Sequence, residues 1–478
     1  MRTRPSLNPY RVKGPTVECN VVVKDVLFID ESSNVAVVTL WTRKELVASK
    51  IGGRVHAIGT LYTVYGINYL LHTLAERPVI DTLILFGADL SSSGDALVRL
   101  FNGERAPELK LMWPLDELKP IIEHVRVVDL RDAFSRGDWD ALNRAVEEFY
   151  DPKPPARPRL KLDIVEGRVE GWPLPVSGQL VSDSSLFRAW IKALTAVMVY
   201  GCVKGCEYGE RQKQLLNLMV TLNLYGRGYE LEREFLEYFS ERDFDEHYES
   251  LVTPGKPEGV SYTYGERLRD HPVAGDQLEA LVERLRRSPD TRRALAVLWV
   301  HDSDPLSREP PCLVLVQGDV SLDYYSQTAY IRSNDIYAAW PLNAYAQVRL
   351  AERVAEKLGL KIGTVTIVSF SAHVYEHDWS RALAVIHDHY DALRAFTQDP
   401  RGSYLIYGRS GLVEVDHREP GGMLVTRLEL RDSTTAYYKL KSEAVLLPPD
   451  HAFYLGWEAR RALERALRKE EYVQDEEM

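Results

Sequence analysis

A chain of 478 residues is about three times an ordinary domain of roughly 150 residues, so two or three domains are expected. Its 45% hydrophobic and 27% charged residues exclude a collagenous, low-complexity or wholly disordered polymer. Fifty-nine Lys and Arg against 70 Asp and Glu leave a net charge of −11, which argues against the broad basic face that sequence-independent DNA or RNA binding requires.

Four cysteines, Cys19, Cys202, Cys206 and Cys312, are too few for a secreted disulfide scaffold, and a reducing cytoplasm is expected. The amino-terminal MRTRPSLNPYRVKGP has charge but no apolar run behind it. No stretch approaches the ~20 apolar residues of a spanning helix, so neither export nor a membrane partner is expected.

Residues 1–150 alternate short β-branched runs (VAVVTLW, DTLILFGADL, HVRVVDLRD) with amphipathic stretches, which predicts an α/β domain with parallel strands. Residues 151–179 form a linker. The 25 residues from Asp151 contain six prolines and little periodicity, so this segment is stiff or extended. Residues 180–396 read as an α+β domain. RQKQLLNLMVTLNLYG and GDQLEALVERLRRSPD read as long helices, and RRALAVLWV, CLVLVQGDV and GTVTIVSFSAHVY as strands. NAYAQVRLAERVAEKLGL reads as a helix closed by Gly359. Residues 397–478 form a small α+β unit: strands in SYLIYG, VEVDH and MLVTRLEL, then the helix DHAFYLGWEARRALERALRKE.

In the third segment, PPC ending at Cys312, RSNDIYAAWPLN from Arg332 to Asn343, and HVY from His373 to Tyr375 put a thiol, a cation, an acid and an amide on neighbouring elements, which suggests a nucleotide site. This set resembles thymidylate synthase. The resemblance is continuous from SPDTRRALAVLWV to SAHVYEHDW and, with RQKQLLNLMV and YTYGERL, covers about half of the chain. It implies a methyltransferase moving a one-carbon unit from a reduced folate or tetrahydromethanopterin derivative, in its methylene form, to carbon 5 of dUMP.

The residues agree with that chemistry. Carbon 5 of a pyrimidine becomes nucleophilic when a thiolate adds at carbon 6, and Cys312 is the candidate nucleophile. A thiol of pKa about 8.5 needs a neighbouring cation to favour the thiolate, and Arg332 is the candidate, able also to hold a phosphate oxygen. Ser333 can add a hydroxyl to the same phosphate. The Asn343 amide offers a donor and an acceptor to uracil, although an asparagine before AYAQVRLAERV also reads as a helix N-cap. His373 and Tyr375 alternate on a strand, face one side, and can both reach a ribose hydroxyl. By the resemblance, Arg292 and Arg293 reach across a two-fold interface to the partner's nucleotide phosphate, so a homodimer is expected. Asp335 matches the pterin-binding acid, and Tyr264 a tyrosine that helps move the carbon-5 proton through water.

The chain also departs from the family pattern. Gln214 stands where a helix normally carries a catalytic Glu, leaving Glu207 or Glu210 as substitutes or a changed later half-reaction. Leu313 replaces the His after the nucleophile, and Ile331 the Gln before the phosphate Arg. These changes keep open a hydroxymethylase on the same scaffold, and a silent nucleotide- or corrinoid-binding protein.

The first domain, through VAVVTL, GTLYTVYGINYLL, TLILFGADL and VVDLRD, resembles the corrinoid-binding subunit of tetrahydromethanopterin S-methyltransferase. The ligand histidine expected after Gly87 is replaced by Ser91, Ser92 and Ser93. His56 and His72 read better as core or solvated residues, so no bound corrinoid is expected. The last unit resembles an uncharacterised domain appended to such proteins. Cys202 and Cys206 lack a second pair, and no metal site is expected.

Overall fold

A computed structural model describes residues 26–164, 171–395, 399–409, 411–444 and 449–476. Among these, contacts divide the chain into two units, 26–164 and 171–476. Cys19 and the amino-terminal MRTRPSLNPYRVKGP lie outside the described residues. No described helix is long and apolar enough to cross a membrane.

In the first unit five strands are ordered β1-β3-β2-β4-β5, with β1 Val26–Phe28, β2 Val35–Val38, β3 Ala57–Gly59, β4 Thr82–Leu85 and β5 Arg126–Asp129. Strands β2 to β5 run parallel and β1 is antiparallel to β3. Helices α1 (Lys44–Ala48), α2 (Ile67–Glu76), α3 (Ser93–Phe101), α4 (Leu115–Ile122), α5 (Arg131–Ser135) and α6 (Trp139–Phe149) complete it. The run VAVV is apolar throughout because both faces are covered. Ala36 and Val38 join a core with Leu71, Leu83 and Leu97, while Val35 and Val37 join another with Ile84, Phe86 and Leu142.

The second unit holds a seven-stranded sheet in the order β6-β8-β12-β11-β10-β9, with β7 also paired to β8. Its strands are β6 Leu180–Asp183, β7 Cys202–Gly205, β8 Arg211–Asn223, β9 Leu295–Val297, β10 Leu313–Ser321, β11 Tyr324–Asp335 and β12 Lys361–Tyr375. Helices α7 (Leu186–Tyr200), α8 (Glu241–Val252), α9 (Tyr264–Arg269), α10 (Gln277–Arg287) and α11 (Trp340–Leu358) lie between them in sequence, and α12 (Trp379–Asp388) follows β12. Helix α11 ends at Gly359, whose φ of 71° is the left-handed conformation that glycine adopts without strain.

One expectation is corrected here: RQKQLLNLMVTLNLYG is not a helix but strand β8. It runs between β12 on one side and β6 and β7 on the other. Gln212 to Leu215, Leu218, Val220 and Leu222 are all buried. Burial of Gln212 to Leu215 in succession erases the two-residue alternation over the first half of the strand, and the leucine spacing then imitates a helix.

A separate antiparallel sheet, β13 (Ser403–Arg409), β14 (Leu412–Arg418) and β15 (Leu424–Leu430), shares a small core with α13 (Ser433–Ala444) and α14 (Pro449–Arg468).

Candidate active site

Cys312 is half-buried immediately before β10, at the end of the PPC turn. The turn is held by Arg332 on β11. The Arg332 backbone N–H donates to the Cys312 carbonyl at 2.9 Å, Nε to the Pro311 carbonyl at 3.0 Å and Nη2 to the Pro310 carbonyl at 2.7 Å. The guanidinium carbon lies 5.9 Å from the Trp299 ring centroid. Burial pushes the Cys312 thiol up, and the Arg332 charge opposes that shift without reversing it. The Arg332 charge therefore acts toward the thiolate, and burial outweighs it.

Tyr264 opens α9, a helix capped by Thr263, whose Oγ1 accepts from the Glu266 N–H at 2.9 Å. The next residue is glycine because the helix start rests against the end of α8: a Cβ on Gly265 would overlap the Thr253 carbonyl. Burial pushes the Tyr264 phenol far above its ordinary value, with the Cys312 charge acting in the same direction. Tyr262, a residue not anticipated from sequence, interacts with both Cys312 and Tyr264, and its ring lies 5.8 Å from that of Tyr264. Two neutral phenols thus flank the thiol, suited to donating hydrogen bonds rather than to acting as bases.

Asn343 is buried in the first turn of α11. It is not an N-cap, because the helix already begins at Trp340 and Ala339 occupies the cap. Its side chain is instead part of a polar chain. Nδ2 donates to Asn334 Oδ1 at 3.2 Å, and Asn334 Nδ2 donates to Ser369 Oγ at 3.1 Å. At the other end, Nε2 of His247 is 2.9 Å from Asn343 Oδ1. His247 lies on α8, three residues after the fully buried Phe244 and four before the buried Leu251, so it occupies the core-facing side. Helix α8 is set by a capping box. The Asp243 N–H donates to Ser240 Oγ at 3.2 Å, and the Ser240 N–H to Asp243 Oδ2 at 2.8 Å. The His247 ring also meets Tyr264 edge-on at 6.4 Å. Sequence reasoning missed His247; the signal was a histidine at apolar spacing in a helix opened by SERD.

His373 and Tyr375 do share a face of β12, with ring centroids 4.8 Å apart. His373 Nδ1 is 3.1 Å from the Ser371 carbonyl, which can only accept, so Nδ1 carries the proton and Nε2 keeps a lone pair for a hydroxyl donor. Burial holds the His373 imidazole below its usual pKa, so it stays neutral. Asp335 pairs with His373 across the parallel β11–β12 ladder. Its Oδ1 accepts from the Tyr337 and Ala338 N–H groups at 2.9 and 3.2 Å, and burial pushes its carboxyl up to about 6. Ser333, between Arg332 and Asn334 on β11, is half-buried and pairs with Ser371. Arg292 and Arg293 are exposed just before β9, and neither guanidinium meets an acid among the described residues.

The residues considered for the missing acid border Tyr375, whose ring meets those of Tyr208 and His377. Gln214, now on a strand, pairs with His373 across the sheet, and its Oε1 accepts from Gln212 Nε2 at 3.0 Å. Glu207 is exposed, and Glu210 is 2.8 Å from His377 Nδ1. Among the described residues no group of three His, Cys, Asp or Glu side chains is placed to hold a metal.

In the first unit the serine run stitches a loop. Trp41 Nε1 donates to Ser91 Oγ and Ser91 to Ser93 Oγ, both at 3.1 Å, and Ser93 donates to the Leu61 carbonyl at 2.7 Å. Ser92 lies between them with φ 56°. His56 is buried with Nδ1 2.9 Å from the Ser33 carbonyl, and His72 is half-buried on α2.

Residues 239–399 match the family model of thymidylate synthase. A relative named "Putative thymidylate synthase" from Methanococcoides burtonii is 33% identical over 209 residues, 44% of this chain and 95% of the relative. Proteins of the same name from Methanosarcina mazei (34% over 203 residues; 42% and 92%) and Methanothermobacter marburgensis (35% over 217 residues; 43% and 97%) are similar to the same extent.

Proposed function

The chain belongs to the thymidylate synthase family, and from that premise we propose that it transfers a one-carbon unit from a reduced pterin, a folate or a methanopterin, to carbon 5 of dUMP through a covalent Cys312 adduct. The observation that carries this reading is the convergence of Cys312, Arg332, Tyr264 and Asn343, from four different elements, on one half-buried thiol and its polar neighbours.

In this reading the sulfur electron pair forms the bond to carbon 6, and the carbon 5–carbon 6 π pair moves to carbon 5 and the carbon-4 oxygen. The Arg332 cation favours the thiolate, and its Nη1, which makes no hydrogen bond to a described residue, is left for a phosphate oxygen. Asn343 has one lone pair on Oδ1 and one hydrogen on Nδ2 beyond those used within the protein, matching uracil's N3–H and carbon-4 carbonyl. Loss of the carbon-5 proton and expulsion of the sulfur restore the ring double bond, with the Tyr264 and Tyr262 hydroxyls able to hold a water that carries the proton.

The pterin, when bound, would supply the one-carbon unit and, from its reduced ring, the hydride that takes a methylene to a methyl. Asp335 fits it, because Oδ1 is taken by backbone amides while Oδ2 makes no hydrogen bond to a described residue and can accept from an amino-pyrimidine edge. Arg292 and Arg293, exposed and without an acidic partner among the described residues, are suited to the phosphate of a second protomer. The second reading is a hydroxymethylase on the same scaffold, kept open by Gln214, which stands on β8 opposite His373 and has no proton to exchange. Incubation with dUMP and a methylene pterin, followed by mass analysis, tests the reading. Added methyl is expected; added hydroxymethyl, or unchanged dUMP with active carrier, would overturn it.

A further inference from the structure

We propose that His247, acting through Asn343, is a specificity-determining positioning residue that fixes which way the Asn343 amide faces and so sets the choice of uracil over cytosine. The inference rests on the reading of Asn343 as the base-recognising residue.

The argument is one of hydrogen-bond direction. Asn343 Oδ1 has no hydrogen, so its 2.9 Å contact with His247 Nε2 requires the proton on that nitrogen. At the other end of the amide, Nδ2 donates to Asn334 Oδ1, which places Asn334 Nδ2 against Ser369 Oγ. The four side chains form one directed chain from α8 through α11 and β11 to β12. With this direction the spare groups of Asn343 are an acceptor on Oδ1 and a donor on Nδ2, the complement of uracil.

The chain has one other self-consistent direction. If His247 Nε2 loses its proton to Nδ1, it becomes an acceptor. Asn343 and Asn334 can then turn over, and the Ser369 hydroxyl, which serves either way, becomes the donor. The reversed amide presents its donor and acceptor in exchanged places, the complement of cytosine's N3 and exocyclic amine. Ser369 cannot choose between the two directions, and the two asparagines follow their neighbours. The choice therefore falls to His247. The elements packed on α8 present it Tyr264 and Asn343, and among the described residues no charged group acts on its ring and Asn343 is its one side-chain hydrogen-bond partner, so the tautomer rests on the neutral imidazole's own preference for a proton on Nε2.

The test is calorimetric binding of dUMP and dCMP to the full chain and to His247→Leu. The unaltered chain should favour dUMP by roughly tenfold or more, the worth of one matched buried hydrogen bond. In His247→Leu the ratio should fall to within about threefold, dCMP binding tighter than before and dUMP weaker. A gain for dCMP is something that general loosening of the fold does not produce. A selective parent whose ratio survives in His247→Leu overturns this inference alone. A parent that binds neither nucleotide, or both equally, overturns the reading of Asn343 beneath it as well. Should His247→Leu fail to fold, nitrogen NMR of the parent decides, with the His247 signal assigned by its loss in His247→Gln. A proton on Nε2 is expected, and a neutral ring protonated only on Nδ1 would refute the proposal.

Discussion

The backbone N–H of Arg332 donates to the carbonyl of Cys312 at 2.9 Å, so the cation and the thiol are joined through the ladder of β10 and β11 as well as by charge. With two further bonds to Pro310 and Pro311, the Arg332 side chain is both electrostatic partner and clamp of the turn.

Replacing Arg332 by Met removes the charge that opposes burial at Cys312, so the thiol pKa rises further. Alkylation of Cys312 by iodoacetamide should then need a higher pH than in the parent. Loss of two hydrogen bonds from a charged donor should also lower stability by about 2 kcal/mol. An unchanged alkylation profile would mean that the cation does not act on the thiol.

Asn343→Asp places an acceptor against Asn334 Oδ1 and against uracil's carbonyl. Weaker dUMP binding, by roughly tens of fold, is expected from one mismatched buried hydrogen bond. Titration of parent and variant with dUMP and dCMP checks it, and equal affinities in the two would count against the assignment.

Asp335 supplies a pH signature. Its folded pKa, pushed up to about 6 by burial, exceeds the free value of 3.8. The protonated form is therefore the one the fold favours. The associated stability is complete below 3.8 and is lost as pH rises through about 6. Asp335→Asn keeps the two backbone hydrogen bonds to Oδ1 and should raise Tm at neutral pH while flattening its dependence on pH across that window. Pterin affinity should fall in the variant, and in the parent as the carboxylate is protonated. A variant that binds pterin as the parent does would remove Asp335 from the carrier site.

Mixing Arg293→Ala with Cys312→Ala tests the two-fold reading. Each homodimer should be folded and inactive. Hybrids should regain activity, because one composite site has both residues intact. Mixed preparations that exchange protomers yet stay inactive would show that Arg293 serves its own chain or none.

Much of the architecture could be read from residues alone. GTVTIVSFSAHVY and CLVLVQGDV, rich in β-branched residues, are β12 and β10, and NAYAQVRLAERVAEKLGL lies within α11 and its closing turn. The failure at β8 has a physical origin. A strand whose first half is buried on both faces, and which is built largely from Gln, Leu, Asn and Met, carries little alternation of residue type and few β-branched residues, and its pairing with β6, β7 and β12 makes it a strand. Motif spacing also brought forward Cys312, Arg332 and Asn343 as candidates. It could not reveal His247, because its part in the candidate site comes from helix α8 meeting α11 across 96 residues, a contact without a local signature.

The central claim is that Cys312 bonds covalently to a pyrimidine at carbon 6. The most direct measurement is the intact mass of the protein after incubation with 5-fluoro-dUMP and a methylene pterin. The account predicts a gain equal to nucleotide plus carrier, absent in Cys312→Ala. No gain in the parent despite nucleotide binding, or a gain that persists in Cys312→Ala, would contradict it.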